Sequence, residues 1–267
     1  MIPGRCKVLN DDQRQGIADA LHRAFTDRGA VPPPSRLHPA LSLEDGYAVQ
    51  ALTARLRLDQ GARQIGYKVG LTSRAMQTAL QCVEPQYGYL LDDRLFQDGA
   101  RIPAYTFLRP KLEVELAFVL GSDLRGPGTL VHDVLRATEY VLPALEIVDY
   151  RTEVPRLAAD MVADNTAGAG AILGGRPVRP MDLDLRWVGA TLAKNGIIEE
   201  SGVSAAVMGH PAAGVAVLAN KLAAAGASLK AGQIVLAGSF THQVAVARGD
   251  VIHADFGPLG AIGASFG

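Results

Sequence analysis

Lys111-Leu112-Glu113-Val114-Glu115-Leu116-Ala117-Phe118, opened by Pro110, is the stretch on which the reading of this chain turns. Charged residues alternate with apolar ones, so Lys111, Glu113 and Glu115 fall on one side and Leu112, Val114 and Leu116 on the other. That period of two is the signature of a β-strand, with Pro at its opening where a missing N–H does least harm. The two glutamates share a face roughly 7 Å apart by strand rise. A third acid sits in a comparable setting, Pro143-Ala144-Leu145-Glu146-Ile147-Val148, where it interrupts an apolar run of the kind buried on both faces. Between the two stretches, Val131 to Tyr140 reads as a helix with Val131, Val134, Leu135 and Thr138 on one side. Strand, helix, strand predicts a crossover that lays the second strand parallel to the first and brings Glu146 beside Glu113 and Glu115. Buried like charges are costly unless neutralised, and a hard cation held by oxygens, Mg²⁺ or Mn²⁺, would neutralise them. A K-x-E-x-E strand can equally be a solvated face; the pattern alone leaves both readings open.

Around this stretch the chain is ordinary in composition. It has 267 residues, 48% of them hydrophobic and 20% charged, with a formal net charge of -1. Such a chain can bury a substantial core. Near-zero net charge argues against nucleic acid or a membrane surface as the main partner. Met1 to Gln15 is polar and lacks the apolar core of a secretory signal, and no apolar run approaches membrane-spanning length. Cys6 and Cys82 provide neither a disulfide framework nor a zinc ligand set, which fits a reducing cytoplasm.

Asp11 to Phe25 predicts a helix, with Asp11 or Asp12 as its cap. The run Val31-Pro32-Pro33-Pro34-Ser35 forms a stiff connector. A second helix starts at Ser42, with Asp45 three residues on, and runs to about Asp59 with Ala48, Leu52, Leu56 and Leu58 inward. Residues 1–62 thus read as an N-terminal helical segment, a cover or an oligomer contact. Residues 63–267 read as the catalytic domain: short apolar strands at Ile65–Val69, Ile102–Phe107, Lys111–Leu120, Ala144–Val148, Ala169–Leu173, Trp187–Lys194, Gln233–Ala237, Gln243–Ala247 and Val251–Asp255, with a helix at Pro211–Ala225. The fold class is α+β, with a curled or barrel-like mixed β core.

Other side chains could carry chemistry. Lys68 lies in a short strand between Gly66 and Gly70, where something can approach the backbone. In a dry pocket near a metal its pKa would fall and it could move protons; otherwise it is an edge-strand lysine that discourages aggregation. Asp92 and Asp93 either cap a turn or orient Lys68 or a water. Asp164-Asn165-Thr166 is a polar turn entering a glycine-rich strand, and Gly238-Ser239-Phe240-Thr241 resembles an oxygen-binding loop. Gly168-Ala169-Gly170 lacks the spacing of a dinucleotide fingerprint, and no phosphate-binding loop, nucleophile elbow or H-E-x-x-H is present. His210 and His253 read as structural.

Taken together, Gly66–Ser73, Leu112–Phe118, Pro143–Asp149, Ala163–Asn165 and Ala237–Thr241 resemble, in order, the hydratase and decarboxylase branch of the fumarylacetoacetate hydrolase superfamily. Ala75-Met76-Gln77, Glu84-Pro85, Leu91-Asp92-Asp93 and His210-Pro211-Ala212 add to the likeness. The resemblance implies a mixed β-roll core and Mg²⁺ or Mn²⁺ held by Glu113, Glu115 and Glu146. It implies Lys68 as the proton-transfer residue with Asp92 or Asp93 orienting it. Leu71, Asp164, Asn165, Ser239 and Thr241 would bind a small-molecule 2-oxo acid, in a homo-oligomer of pentameric or decameric type. The implied reaction adds water to a 2-hydroxy-2,4-dienoate or 2-oxo-4-enoate. The connector Asp149–Ala163 is shorter than the dioate-specific enzymes usually carry, which leaves the substrate's far end open. A dioate would need a cation there, for which Arg74 or Arg151 could serve; the shorter 2-oxopent-4-enoate, or decarboxylation of 4-oxalocrotonate type, are the alternatives.

Overall fold

The computed structural model describes residues 9–73, 77–78 and 82–267. Arg74, Cys6 and the Ala75-Met76 pair lie outside the described residues. Helix α1 (Asp11–Asp27) is capped by Asn10, one residue before the aspartates expected to do so: its side chain accepts from Gln13 N while Gln13 returns the bond. After the short α2 (Pro34–Leu37), α3 (Leu43–Asp59) opens on the capping box of Ser42 and Asp45. Its buried face is Asp45, Gly46, Val49, Gln50 and Arg57, not the expected leucine stripe. Polar groups are tolerated there because each finds a partner in the β core or in α1: Asp45 meets Arg14, Gln50 bonds the Tyr87 and Val162 carbonyls, and Arg57 pairs with Asp93.

Strands β1 (Gln64–Gly70), β2 (Gln86–Leu91), β3 (Leu95–Gln97) and β4 (Ala100–Ile102) follow, then the long β5 (Lys111–Leu120). The strand expected over Ile102–Phe107 ends at Ile102, where Pro103 begins a 3₁₀ turn. Helix α4 (Val131–Ala137) is shorter than expected, and Thr138 opens β6 (Thr138–Val148) instead of closing the helix. Helix α5 (Ala158–Ala163) precedes β7 (Gly168–Leu173), which is followed by β8 (Gly189–Lys194) and β9 (Ile197–Val203). Helix α6 (Pro211–Ala224) is capped by His210, whose Nδ1 accepts from Ala212 N. Strands β10 (Ile234–Leu236), β11 (Val244–Ala245), β12 (Val251–Asp255) and β13 (Ala261–Phe266) complete the chain.

The mixed β core is built as two open sheets. One has the order β2-β1-β10-β5-β6-β7-β3 with β11 added to β5; the other is β4-β13-β12-β8-β9. Their facing sides share one core, in which Leu112, Val114, Leu116 and Phe118 of β5 join Ile252, Ile262 and Phe266. Each such buried side chain contributes about 1.5–3 kcal/mol. A smaller cluster, with Ile17, Leu21, Val49, Ala159 and Ala163, fastens α1 and α3 to α5.

The expected parallel crossover is overturned: β5 and β6 pair antiparallel. The connection closes on itself at the end of β5: the N–H groups of Gly121 and Ser122 donate to the Ala137 carbonyl, which sets Thr138 beside Leu120. The chain therefore turns and comes straight back, and Glu146 still arrives opposite Glu113.

Candidate metal centre

Alternation along β5 sends Leu112, Val114 and Leu116 into the shared core and leaves Glu113, Glu115 and Ala117 on the other face. Pairing then builds the site sideways. Glu113 stands opposite Glu146, which stands opposite Ala171 of β7; Glu115 stands opposite Ala144. Lys68 of β1 lies between Gly88 of β2 and Leu236 of β10, and Leu236 pairs with Ala117. One end of this face is thus charged, and the other is a small apolar cluster of Leu90, Ala117, Ala144, Ala171 and Leu236. Small residues across from the acids leave the space that the carboxylates occupy.

Oxygen atoms of Glu113, Glu115 and Glu146 lie within 4.8 Å of one another. Glu115 and Glu146 are buried, and Glu113 is partly exposed. Lys68 Nζ stands 2.9 Å from Glu146 Oε1. Gly238 N donates to Glu115 Oε2 at 2.7 Å, and Gln243 Nε2 donates to Glu113 Oε1 at 3.0 Å. Gly238 has φ 118, and a Cβ there would come 2.6 Å from Thr72, so glycine is required at this contact. Gln243 is held in turn by the Tyr150 hydroxyl at 2.9 Å. Even so, Glu115 Oε1 and both oxygens of Glu146 are buried without hydrogen-bond geometry to any partner.

The electrostatics follow from this crowding. Burial, then repulsion from Glu146, pushes the Glu113 carboxyl up to about 7. Burial, then Glu146 and Glu113, holds Glu115 well above the ordinary carboxylate range. For Lys68, burial pulls the pKa down, but Glu146, Glu113 and Glu115 outweigh it, and the net shift is upward. In the metal-free centre the carboxylates thus oppose the fall expected of a dry pocket beside a metal. Orphaned, buried, all-oxygen acceptors converging from adjacent strands suit a hard divalent cation, which takes oxygen ligands and would remove the repulsion.

Behind Lys68 runs a strained turn. Asn165, Thr166 and Ala167 have φ of 54, 49 and 59, a left-handed conformation that costs non-glycine residues roughly 1–2 kcal/mol each. Partners hold it: Asn165 bonds the Tyr89 N–H and carbonyl, and Thr166 Oγ1 donates to the Tyr87 carbonyl. The turn packs so close that a Cβ on Gly88 would lie 2.5 Å from the Asn165 carbonyl. Gly168 at its end borders the Lys68 stem, where a Cβ would sit 3.0 Å from Cε. Asn165 thus shapes the wall of the site.

The other sequence candidates are placed differently. Asp92 receives Arg63 N and Nε at 2.8 and 2.7 Å, and Asp93 receives Arg57 at 2.5 Å; neither has a contact with Lys68. Leu91 pairs with Gln64, four strand residues from Lys68, about 13 Å away by strand rise. Their place beyond that end of β2 rules out the orienting role expected of them. Asp164 is taken up by Arg151, whose N and Nε reach its carboxylate at 2.9 and 2.5 Å. Ser239 bonds within its own loop, and Thr241 Oγ1 accepts from Val114 N, so both lace the loop to β5 between the two glutamates. Leu71 takes a left-handed φ of 58, and its carbonyl accepts from Gln77. Sequence reasoning missed Gln243 and Tyr150. The signal was faint, a polar residue at the foot of the short β11; only the pairing of Val244 with Leu112 brings it to Glu113.

The chain is similar to known proteins over nearly its whole length. The sequence profile of the fumarylacetoacetate (FAA) hydrolase C-terminal family matches residues 56–266. The 2-oxo-hept-4-ene-1,7-dioate hydratase of Escherichia coli is 49% identical over 94% of this chain and 96% of its own. A 2-hydroxyhexa-2,4-dienoate hydratase of Comamonas testosteroni is 40% identical over 91% and 92%. Among solved structures, the 4-oxalocrotonate decarboxylase from Pseudomonas putida G7, complexed with magnesium and adipate, superposes with a TM-score of 0.94 at 34% identity, covering 97% of this chain and 98% of that one.

Proposed function

Because this chain belongs to the fumarylacetoacetate hydrolase family, we propose that it is a divalent-metal-dependent hydratase. It would add water to a 2-hydroxy-2,4-dienoate or its 2-oxo-4-enoate tautomer, 2-oxohept-4-ene-1,7-dioate above all, in the catabolism of aromatic ring-cleavage products. The observation that carries the reading is the convergence of Glu113, Glu115 and Glu146 on one point with Lys68 against Glu146. The carboxylates would hold Mg²⁺ or Mn²⁺, which when bound supplies Lewis acidity toward the oxygen on which enolate charge gathers.

The chain's own groups do the rest. The Gly238 N–H and the Gln243 amide fix the orientation of Glu115 and Glu113 before anything binds, so little reorganisation is needed. Lys68, walled in by Gly168 and the left-handed turn, holds a proton within reach of the same point. It gives that proton to C5 of the dienol and takes one back from the C2 hydroxyl, which leaves a C3–C4 double bond in conjugation with the C2 carbonyl. Water then bonds to C4 and gives up a proton, and a proton goes to C3. Counted from the 2-oxo-4-enoate tautomer, the net change is hydroxyl on C4 and hydrogen on C5, one water consumed. Leu71, Asn165, Ser239 and Thr241 support the reading as residues that shape the pocket or its loops, with Asp164 acting through Arg151.

Incubation with a 2-hydroxydienoate, with Mg²⁺ and with chelator, tests the proposal. A 4-hydroxy-2-oxo acid formed only with metal supports it; full turnover in chelator ends it. The second reading, decarboxylation of 4-oxalocrotonate type, draws on the solved relative of that name and would release CO₂ in the same assay. The shorter 2-oxopent-4-enoate is the alternative substrate. We infer further a homo-oligomer, pentameric or decameric, in the cytoplasm. Exposed apolar side chains such as Trp187, Ile197 and Ile198 support the assembly, which light scattering would measure. Among the described residues no helix is long and apolar enough to cross a membrane.

A further inference from the structure

The acid centre accounts for one end of a substrate. On the hydratase reading, three carboxylates face a dication and the Lys68 ammonium, so the centre is electrically balanced before a substrate arrives. A second carboxylate on the substrate would need cations of its own. Of the two arginines suggested by sequence, Arg151 is buried and committed to Asp164, and Arg74 lies outside the described residues.

A chain of contacts leads from Glu113, the partly exposed acid of the three, to two other cations. Tyr150 follows β6, and its hydroxyl is joined through the Gln243 amide to Glu113, at 2.9 and 3.0 Å. Lys111 shares the Glu113 face of β5, two residues and about 7 Å further out, and its Nζ lies 5.6 Å from the centre of the Tyr150 ring. The Arg156 guanidinium lies over the same ring at 4.4 Å. Its Nε donates to the Thr152 carbonyl and hydroxyl at 3.0 and 2.9 Å, and its Nη2 also reaches that carbonyl. Those bonds fix the guanidinium plane and, among the described residues, leave its Nη1 without a hydrogen-bond partner. Neither Lys111 nor Arg156 has an acidic partner among the described residues, whereas Arg57, Lys68 and Arg151 each have one. Aromatic contact steadies both charges without neutralising them.

We propose that Arg156 and Lys111, gathered over Tyr150, bind the terminal carboxylate of a dianionic 2-oxo acid, and so select a seven-carbon dioate over a 2-oxo monoacid. This inference rests on the hydratase reading of the acid centre and adds to it the residues that read substrate length. The planar guanidinium offers a forked contact to a carboxylate, and Lys111 a single charge, so Arg156 carries the larger share.

The test is equilibrium titration of the Mg²⁺-loaded protein with 2-oxoheptanedioate and with 2-oxopentanoate, saturated acids that have no double bond to hydrate. The parent protein is expected to bind the dioate about 10-fold or more tightly than the monoacid, the size of one charge-assisted contact in a partly exposed site. Arg156→Met removes most of that preference, Arg156→Lys retains part of it, and Lys111→Met takes a smaller share. The monoacid, which cannot reach these groups, binds each variant as it binds the parent and thereby reports an intact centre. Should Arg156→Met fail to fold, Arg156→Gln and Lys111→Met carry the comparison. An equal affinity of the parent for both acids, or an undiminished preference in Arg156→Met combined with Lys111→Met, overturns the inference while leaving the hydratase reading standing. Failure of either acid to bind in a metal-dependent way overturns the reading of the acid centre and the inference with it.

Discussion

Lys68 with Glu146 and Arg151 with Asp164 are both buried ion pairs, held at 2.9 and 2.5 Å. Around Asp164, both carboxylate oxygens accept from Arg151, and the same guanidinium also satisfies the Asp164 carbonyl. Around Glu146, one ammonium is shared among three carboxylates, and several oxygens are left without a hydrogen bond. A buried charge pair repays its desolvation only when the remaining lone pairs are satisfied. The Arg151–Asp164 pair meets that condition and braces the left-handed turn at Asn165. The Lys68–Glu146 pair fails it by one dication's worth of charge. Two pairs with similar burial therefore have opposite meanings, and the unsatisfied atoms are what tell them apart.

Substitutions can break this contrast. The largest effect is expected for Glu146→Gln, which should abolish metal-dependent turnover, a loss of at least about 10³-fold, because it removes a converging carboxylate. Its unfolding free energy should hold or rise, since one of three repelling charges is gone; a collapse of stability measured by urea denaturation would make Glu146 a structural residue like Asp164. Lys68→Ala should slow the chemical step by about 10²- to 10⁴-fold and weaken Mg²⁺ binding far less. Single-turnover rates beside a metal titration separate the two, and loss of metal binding alone would leave Lys68 a purely electrostatic role.

Asp164→Ala addresses the other pair. It leaves the Arg151 guanidinium buried and unpaired and should cost about 3–5 kcal/mol of stability, read from denaturant midpoints at unchanged slope. A smaller cost would mean that solvent reaches Arg151 and that the two pairs are less different than their geometry indicates.

The smallest effect is a pH dependence of the metal-free protein. Glu113 and Glu115 have folded pKa values raised above the ordinary 4.5, Glu113 to about 7. For an acid with a raised folded pKa, the fold favours the protonated form. Stability from these groups is therefore present below the unfolded pKa and is lost as pH rises through the folded one, from about 4.5 to about 7 for Glu113. In chelator, the melting temperature should fall across that window by a few degrees; saturating Mg²⁺ should remove the fall, since binding favours the ionised carboxylates. A profile identical with and without metal would show that the cation does not sit on these acids.

Much of the site was legible beforehand because strand alternation is local. The period of two around Glu113 and Glu115, the acid within an apolar run at Glu146, and Lys68 between glycines each follow from neighbouring residues. Asp92 and Asp93 misled because closeness in sequence to β2 says nothing about which end of the strand they extend. Gln243 and Tyr150 stayed hidden because their role depends on β11 joining β5. The buried face of α3 was misjudged for a related reason: Gln50 and Arg57 can be buried only where partners from distant segments await them.

What the sequence determined by itself was which side chains share a face and which charges need neutralising, since backbone stereochemistry sets the period and burial sets the cost. Only the tertiary structure decided that β6 returns antiparallel and that Arg151 rather than a ligand occupies Asp164. It alone gathers Lys111, Arg156 and Gln243 around Tyr150. Pairing direction and register are settled by contacts between segments distant in sequence and by packing over the whole core, and no local pattern carries either.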